Sequence, residues 1–264
     1  ATGRISADDE NLHNIPKAVP ILQSDGTLLW TPIRPGDLIP KLGPVRRAIK
    51  PDSGKLTMFD LNMIELRIIA FLSGDAYMNH ILSLPKSQGG DIHAATQQAL
   101  GLHSRTMAKN FNFGHWFGGG PEELSKHTGV KNLRWLAEMQ HSMNVTYPGA
   151  AEWVARQRYQ GLRDMQVQTL YGRTLKLGYG YSAEQLSEKH IQNCAIAYQV
   201  QGTAAEIFKR IRIALEREVS IRDFMLQVHD EQLLDGIHNI PAEELAHLAP
   251  FETPLEVEYK ERWQ

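Results

Sequence analysis

The sequence predicts an α+β protein, in which a small antiparallel sheet drawn from the two ends of the chain carries an inserted, mainly helical middle. Three observations lead there. Short apolar runs bounded by turn residues fall near residues 20–30, 55–60 and 224–234. Between residues 63 and 186 the apolar residues instead recur at helical spacing. No internal repeat, low-complexity tract or linker separates the two regimes.

Each element has its own local reason. Pro16, Pro20, Pro32, Pro35, Pro40 and Pro44 disfavour helix at the start, because proline lacks an amide donor and restricts the residue before it. Within that stretch Ile21-Leu22-Gln23 and Thr27-Leu28-Leu29-Trp30 flank Ser24-Asp25-Gly26, the pattern of a β-hairpin. Residues 55–59 form a buried strand ending at Asp60, and a helix over 63–72 stops at Ser73-Gly74-Asp75. Asp91 caps a helix to Leu100, and another spans 104–117 up to Gly118-Gly119-Gly120-Pro121. Further helices cover 121–127, 133–144 and 150–162. A short hairpin over 167–170 and 174–177 turns at Tyr171-Gly172-Arg173, before a long helix over 187–218. Strands 224–228 and 232–234 then meet at His229-Asp230.

The bulk numbers narrow the function less. The 264 residues are 42% hydrophobic and 22% charged, enough for a real core. No eighteen-residue apolar run is present, which argues against a membrane span, and residues 1–16 lack the features of a signal peptide. One cysteine, Cys194, suits a reducing, cytoplasmic setting. With 28 basic and 30 acidic residues the net charge is −2, so bulk charge alone does not hold nucleic acid. The eleven histidines show no HExxH or CxxC-type spacing, against a zinc site.

The helix over 104–117 is the most informative segment. Arg105, Lys109, Phe113 and Phe117 recur every four residues, one stripe of two cations and two aromatics flanked by Gly114 and Gly118. Cations suit phosphate, aromatics suit a sugar or base, and glycine allows close approach. Spacing alone favours an ordinary core stripe with snorkelling cations.

The wider pattern points elsewhere. The run from Ser104, SRTMAKNFNFGHWFGGG, resembles the fingers-helix motif of family A DNA polymerases. The run from Asp60, DLNMIELRIIAFLSGD, is similar to that family's first catalytic motif, and QVHDE, ending at Glu231, to its second. TGRISADDENLHNIP at 2–16, DIHAAT at 91–96 and QGTAAEIFKR at 201–210 resemble three more landmarks, and all six stand in the family's order.

The resemblance implies the right-hand polymerase fold without its thumb: palm over 1–65, fingers over 66–187, palm again over 188–264. It implies template-directed DNA synthesis from dNTPs on a primer-template, with two Mg²⁺ held by Asp60 and Asp230 and supported by Glu231. Arg105, Lys109 and His93 would grip the triphosphate, and Lys109 would donate a proton to pyrophosphate. Glu65 would exclude ribose, Phe113 would face the sugar and Phe117 would stack on the template base. Arg4, Asn11, Asn14, Gln201 and His229 would contact the duplex near the primer terminus. Tyr147 reads as core. Related single-subunit RNA polymerases are a second reading, which Glu65 opposes. A DNA-binding, catalytically decayed module is a third, which intact Asp60, Asp230, Lys109 and Arg105 oppose.

Three departures stand out. Phe117 occupies a place where relatives carry tyrosine, and Asn193 and Ala197 stand where the family has an arginine and an asparagine. About twenty residues around Ser24-Asp25-Gly26 exceed the short loop of most relatives. The chain opens inside the first motif, so a thumb or nuclease portion is expected upstream, in cis or as a separate chain.

Overall fold

A computed structural model describes residues 18–22, 28–32, 49–178 and 186–263. In chain order, β1 (Ala18–Leu22) and β2 (Leu28–Pro32) form an antiparallel ribbon with Ala18 opposite Pro32. Then come β3 (Leu56–Leu61), α1 (Ile64–Ser73), α2 (Ala76–Ser83), α3 (Ile92–Leu100) and α4 (Arg105–Trp116). They lead to α5 (Pro121–Thr128), α6 (Leu133–Thr146), α7 (Pro148–Asp164) and a hairpin of β4 (Gln166–Gln168) and β5 (Thr174–Lys176). The chain closes with α8 (Glu188–Leu215), β6 (Phe224–Val228), β7 (Glu231–Asp235), α9 (Ala242–Ala246) and β8 (Leu255–Lys260).

The chain divides into two compact units. One is Met63–Ile207; the other joins the described residues before Met63 to those of Phe208–Gln264, so the division falls inside α8. In the second, a four-stranded sheet runs in the order β6-β7-β3-β8, every pair antiparallel. The central strand β3 is buried along nearly its whole length, with Leu56 and Met58 packed in a cluster with Val228, Leu233 and Trp263. Phe59 stacks on Phe208, ring centroids 5.9 Å apart. The entry to β3 is fastened by Asp235, whose carboxylate accepts from the amides of Asp52 (2.7 Å) and Ser53 (3.0 Å).

The helical unit is built on capping and on buried polar links. Gly74, at φ 67°, ends α1, as only a residue without Cβ does cheaply there. Asp75 then caps α2 through Met78 N (2.8 Å), while its other oxygen accepts from Gly149 N and Ala150 N at the start of α7. One buried carboxylate thus closes two helix ends. Asp91 caps α3 as the sequence suggests, and Ser104, expected as the first residue of its helix, caps α4.

α2, α9 and β8 are not among the elements expected from the sequence. The first starts immediately behind a helix stop, and the second is only five residues long. β8, LEVEYK, does carry the strict alternation of a strand and was legible. β3 also runs one residue past Asp60, because Leu61 N still bonds Asp230 O (3.2 Å).

Candidate active site

In the sheet unit, strand register assembles the acids. Asp60 lies opposite Glu231 on β7 and opposite Glu256 on β8, so the three side chains share one face. Two residues back, Met58 faces Glu258 across the β3–β8 pair. Asp60, Glu231, Glu256, Glu258 and Lys260 line a pocket of about 230 Å³ floored by Met58 and Phe59. Asp60 is exposed, whereas Glu231 is buried and accepts from Trp263 Nε1 at 2.6 Å. Asp230 follows His229 in the two-residue turn joining β6 to β7. His229 is exposed and holds φ 56°, a left-handed conformation uncommon for a residue with Cβ. Strain of that kind clusters at functional turns.

Carboxylate oxygens are the hard donors that Mg²⁺ takes, usually one or two from protein with the rest from water and phosphate. Among the described residues no group of three or more His, Cys, Asp or Glu is placed to hold a metal alone. An Asp60–Asp230 pair completed by substrate phosphates fits that donor set.

In the helical unit, the buried face of α4 is Met107, Ala108, Phe111, Asn112 and Trp116. The stripe seen in the sequence is therefore not the core stripe that spacing alone favours. Arg105 and Lys109 are exposed, and Phe113 and Phe117 are half-buried and stacked, centroids 6.4 Å apart at 7°. Phe113 and Phe117 line an open groove of about 380 Å³ with Asn110, Glu123, His127 and Gln201. Gly114 and Gly119 also line that groove. A Cβ on Gly114 would meet Leu124 Cδ2 at 2.5 Å, so its absence leaves room for that side chain of α5.

Arg105 Nε donates to Asp91 Oδ2 at 2.6 Å, tying α4 to the cap of α3. Burial raises the Asp91 pKa, but Arg105 and the capped amides outweigh it and hold the group below its usual range. His93, two residues on, is buried; desolvation, then the Arg105 charge, lower its pKa to about 4 against the pull of Asp91, with Lys109 adding to the depression. It is therefore neutral near pH 7. Its ring lies 5.8 Å from that of Phe113. His93 of α3 thus lies beside Arg105, Lys109 and Phe113 of α4.

Glu65 sits half-exposed in the first turn of α1, just past Met63 at φ 51°. Gln201 lies on α8. Asn193, also on α8, donates to Gly118 O at a long 3.5 Å and fills the space beside that glycine, where a Cβ would fall 1.8 Å from Asn193 Oδ1. Tyr147 is fully buried. Arg4, Asn11, Asn14 and the turn at Ser24-Asp25-Gly26 lie outside the described residues.

The family model described as DNA polymerase family A matches residues 1–257. This chain belongs to DNA polymerase family A. It is 30% identical to the thermostable DNA polymerase I of Thermus thermophilus over 98% of its own length and 30% of that protein. It is likewise 30% identical to DNA polymerase I of Pseudomonas aeruginosa, over 89% of its length and 24% of the relative. The chain therefore spans less than a third of these family A relatives. In fold it resembles the POL domain of Pol1 from M. smegmatis, solved in complex with DNA primer-template and dNTP. The TM-score there is 0.74 at 22% identity, covering 99% of this chain and 46% of that one.

Several supporting residues escape sequence reasoning. Glu256 and Glu258 on β8 line the same pocket as Asp60, and the period-2 run Leu255-Glu256-Val257-Glu258 was their signal. Trp263, which holds Glu231, and Asn112, Thr96 and Tyr147, which hold His93 through a chain of hydrogen bonds, gave no local signal.

Proposed function

We propose that the protein carrying this chain is a template-directed DNA polymerase that adds dNTPs to a primer 3′-hydroxyl. The observation that carries the reading is the register setting Asp60 opposite Glu231, with Asp230 in the adjoining turn, in a chain of this family. The sheet unit would serve as palm and the helical unit as fingers. The primer hydroxyl gives up its proton to water, its oxygen attacks the α-phosphorus in line to form a P–O bond, and the bond from that phosphorus to the β-phosphate oxygen breaks, releasing pyrophosphate.

Asp60 and Asp230 would hold the metal ions, and the buried Glu231 would support them. Bound Mg²⁺, two ions, supplies a lowered primer-hydroxyl pKa and neutralises charge on the transferred phosphoryl group. Arg105 and Lys109 would grip the triphosphate, Lys109 handing a proton to the departing pyrophosphate, with neutral His93 beside them as a hydrogen-bond donor. Phe113 would face the sugar, Phe117 would stack on the template base, and Glu65 would stand where a 2′-hydroxyl would need to go. Gln201 and His229, with Arg4, Asn11 and Asn14, would contact the duplex. A net charge of −2 leaves little general affinity for a polyanion, so an upstream portion, in cis or as a separate chain, would wrap the product duplex.

Primer extension with trap DNA tests this, run with dNTPs and with rNTPs, on this chain alone and joined to its upstream portion. Extension by dNTPs, with longer runs when the upstream portion is joined, is expected. No extension in either form would sink the reading, and equal use of rNTPs would remove the role of Glu65.

A further inference from the structure

The buried hydrogen bonds behind α3 and α4 have a direction, and that direction ends on His93. Tyr147 is fully buried, and its hydroxyl is 2.8 Å from Thr96 Oγ1, its hydrogen-bond partner among the described residues. A buried phenol must place its proton, so Tyr147 donates and Thr96 accepts. Burial also pushes the phenol pKa up to about 12, which keeps that proton in place. Thr96 has one proton of its own, which it donates to Asn112 Oδ1 at 3.2 Å.

The Asn112 amide is then oriented. It is fully buried, and its Nδ2 lies 3.1 Å from His93 Nδ1 and 3.0 Å from Thr96 Oγ1. Both N–H bonds thus meet acceptors. Turning the amide over would swing an N–H away from Nδ1 to the position of Oδ1, whose hydrogen-bond partner among the described residues is the donating Thr96 hydroxyl, a mismatch that costs about 1–3 kcal/mol. So Asn112 donates to His93 Nδ1, and Nδ1 carries no proton.

We propose that Tyr147, Thr96 and Asn112 form a one-way relay that fixes neutral His93 as the Nε2–H tautomer, making Asn112 a positioning residue that aims an N–H donor at nucleotide phosphate oxygen. The aiming rests on the polymerase reading above; the tautomer does not. Arg105, Lys109 and Asp91 are the charged groups facing this ring, and the two cations supply charge while His93 supplies a directed donor. A Nδ1–H tautomer would instead face Asn112 with two donors and one proton too many.

The test is a nitrogen-15 NMR spectrum of the ligand-free protein labelled at histidine, His93 being assigned by its loss in His93→Gln. Near pH 7 the His93 ring is expected to show a protonated Nε2 and a bare Nδ1. In Asn112→Asp, where the new carboxylate accepts, Nδ1 is expected to gain a proton. A wild-type ring protonated at Nδ1 overturns the relay outright, so the outcome does not hang on the variant folding. In primer extension, Asn112→Asp is expected to raise KM for dNTP about tenfold with a smaller change in kcat, the loss of one charge-assisted hydrogen bond. A loss of kcat at unchanged KM would leave Asn112 merely structural and overturn the aiming. A wild-type protein that shows the expected tautomer but extends no primer would instead overturn the polymerase reading.

Discussion

The sheet and the α3–α4 pair hold their candidate functional groups in opposite ways. On the sheet, Asp60 and Glu231 are neighbours because backbone register makes them so, and Asp230 follows from the turn. Around α4, His93 and Arg105 are held by other side chains: Asp91 to Arg105, and Tyr147 through Thr96 and Asn112 to His93. A ladder keeps its strands paired when an exposed carboxylate such as Asp60 is lost. A side-chain relay does not tolerate loss of a member, because a buried partner is left unpaired.

That contrast can be broken by substitution. Under the proposed function, Asp60→Ala or Asp230→Ala is expected to lower nucleotide addition about 10³-fold, some 4 kcal/mol of transition-state stabilisation. Urea unfolding of the same variants should give unchanged or raised stability, since like charges are thinned. A marked loss of stability in either would mean that the carboxylates hold the sheet together. In the helical unit the reverse is expected of Asp75→Ala: about 3 kcal/mol of stability lost, because three amides lose one buried acceptor. A loss under about 1 kcal/mol would show that water replaces the carboxylate there.

Trp263→Phe probes a place where the sheet does rely on a side chain. It keeps the aromatic bulk but removes the donor to buried Glu231, and about 2 kcal/mol of destabilisation is expected. An unchanged denaturation midpoint would return Glu231 to the register-only class. The smallest effect concerns pH. His93 and His115 both have pKa values lowered to about 4, chiefly by burial, against about 6.5 unfolded. Between those values the unfolded chain binds more protons, so the contribution is whole above pH 6.5 and is lost as pH falls towards 4. Replacing either histidine by Gln should flatten the fall in urea midpoint across that window; an unaltered slope would show that the ring is solvated.

How far the sequence could be read follows the same division. Helix boundaries at Gly74, Asp91 and Ser104 were legible because capping is local chemistry. The Asp60–Glu231 pair was legible only through motif resemblance, since register joins residues far apart in the chain. The α4 stripe was misread by spacing alone: four-residue recurrence cannot tell a groove-lining face from a buried one, and here Met107, Phe111 and Trp116 took the core instead. The relay behind His93 was invisible because Thr96, Asn112 and Tyr147 converge from three different helices or their ends.

The position of β3 sets the order in which the chain can fold. Its partners β7 and β8 arrive only at the end of the sequence, and Asp52 meets Asp235 across 183 residues. Closing so long a loop is slow, and nothing rewards it until the last strands exist. During synthesis β3 therefore emerges with both of its edges open and waits while the helices that follow it in the chain, whose contacts are mostly local, form first. For that interval the hydrophobic strand Leu56–Leu61 needs protection from pairing with other strands.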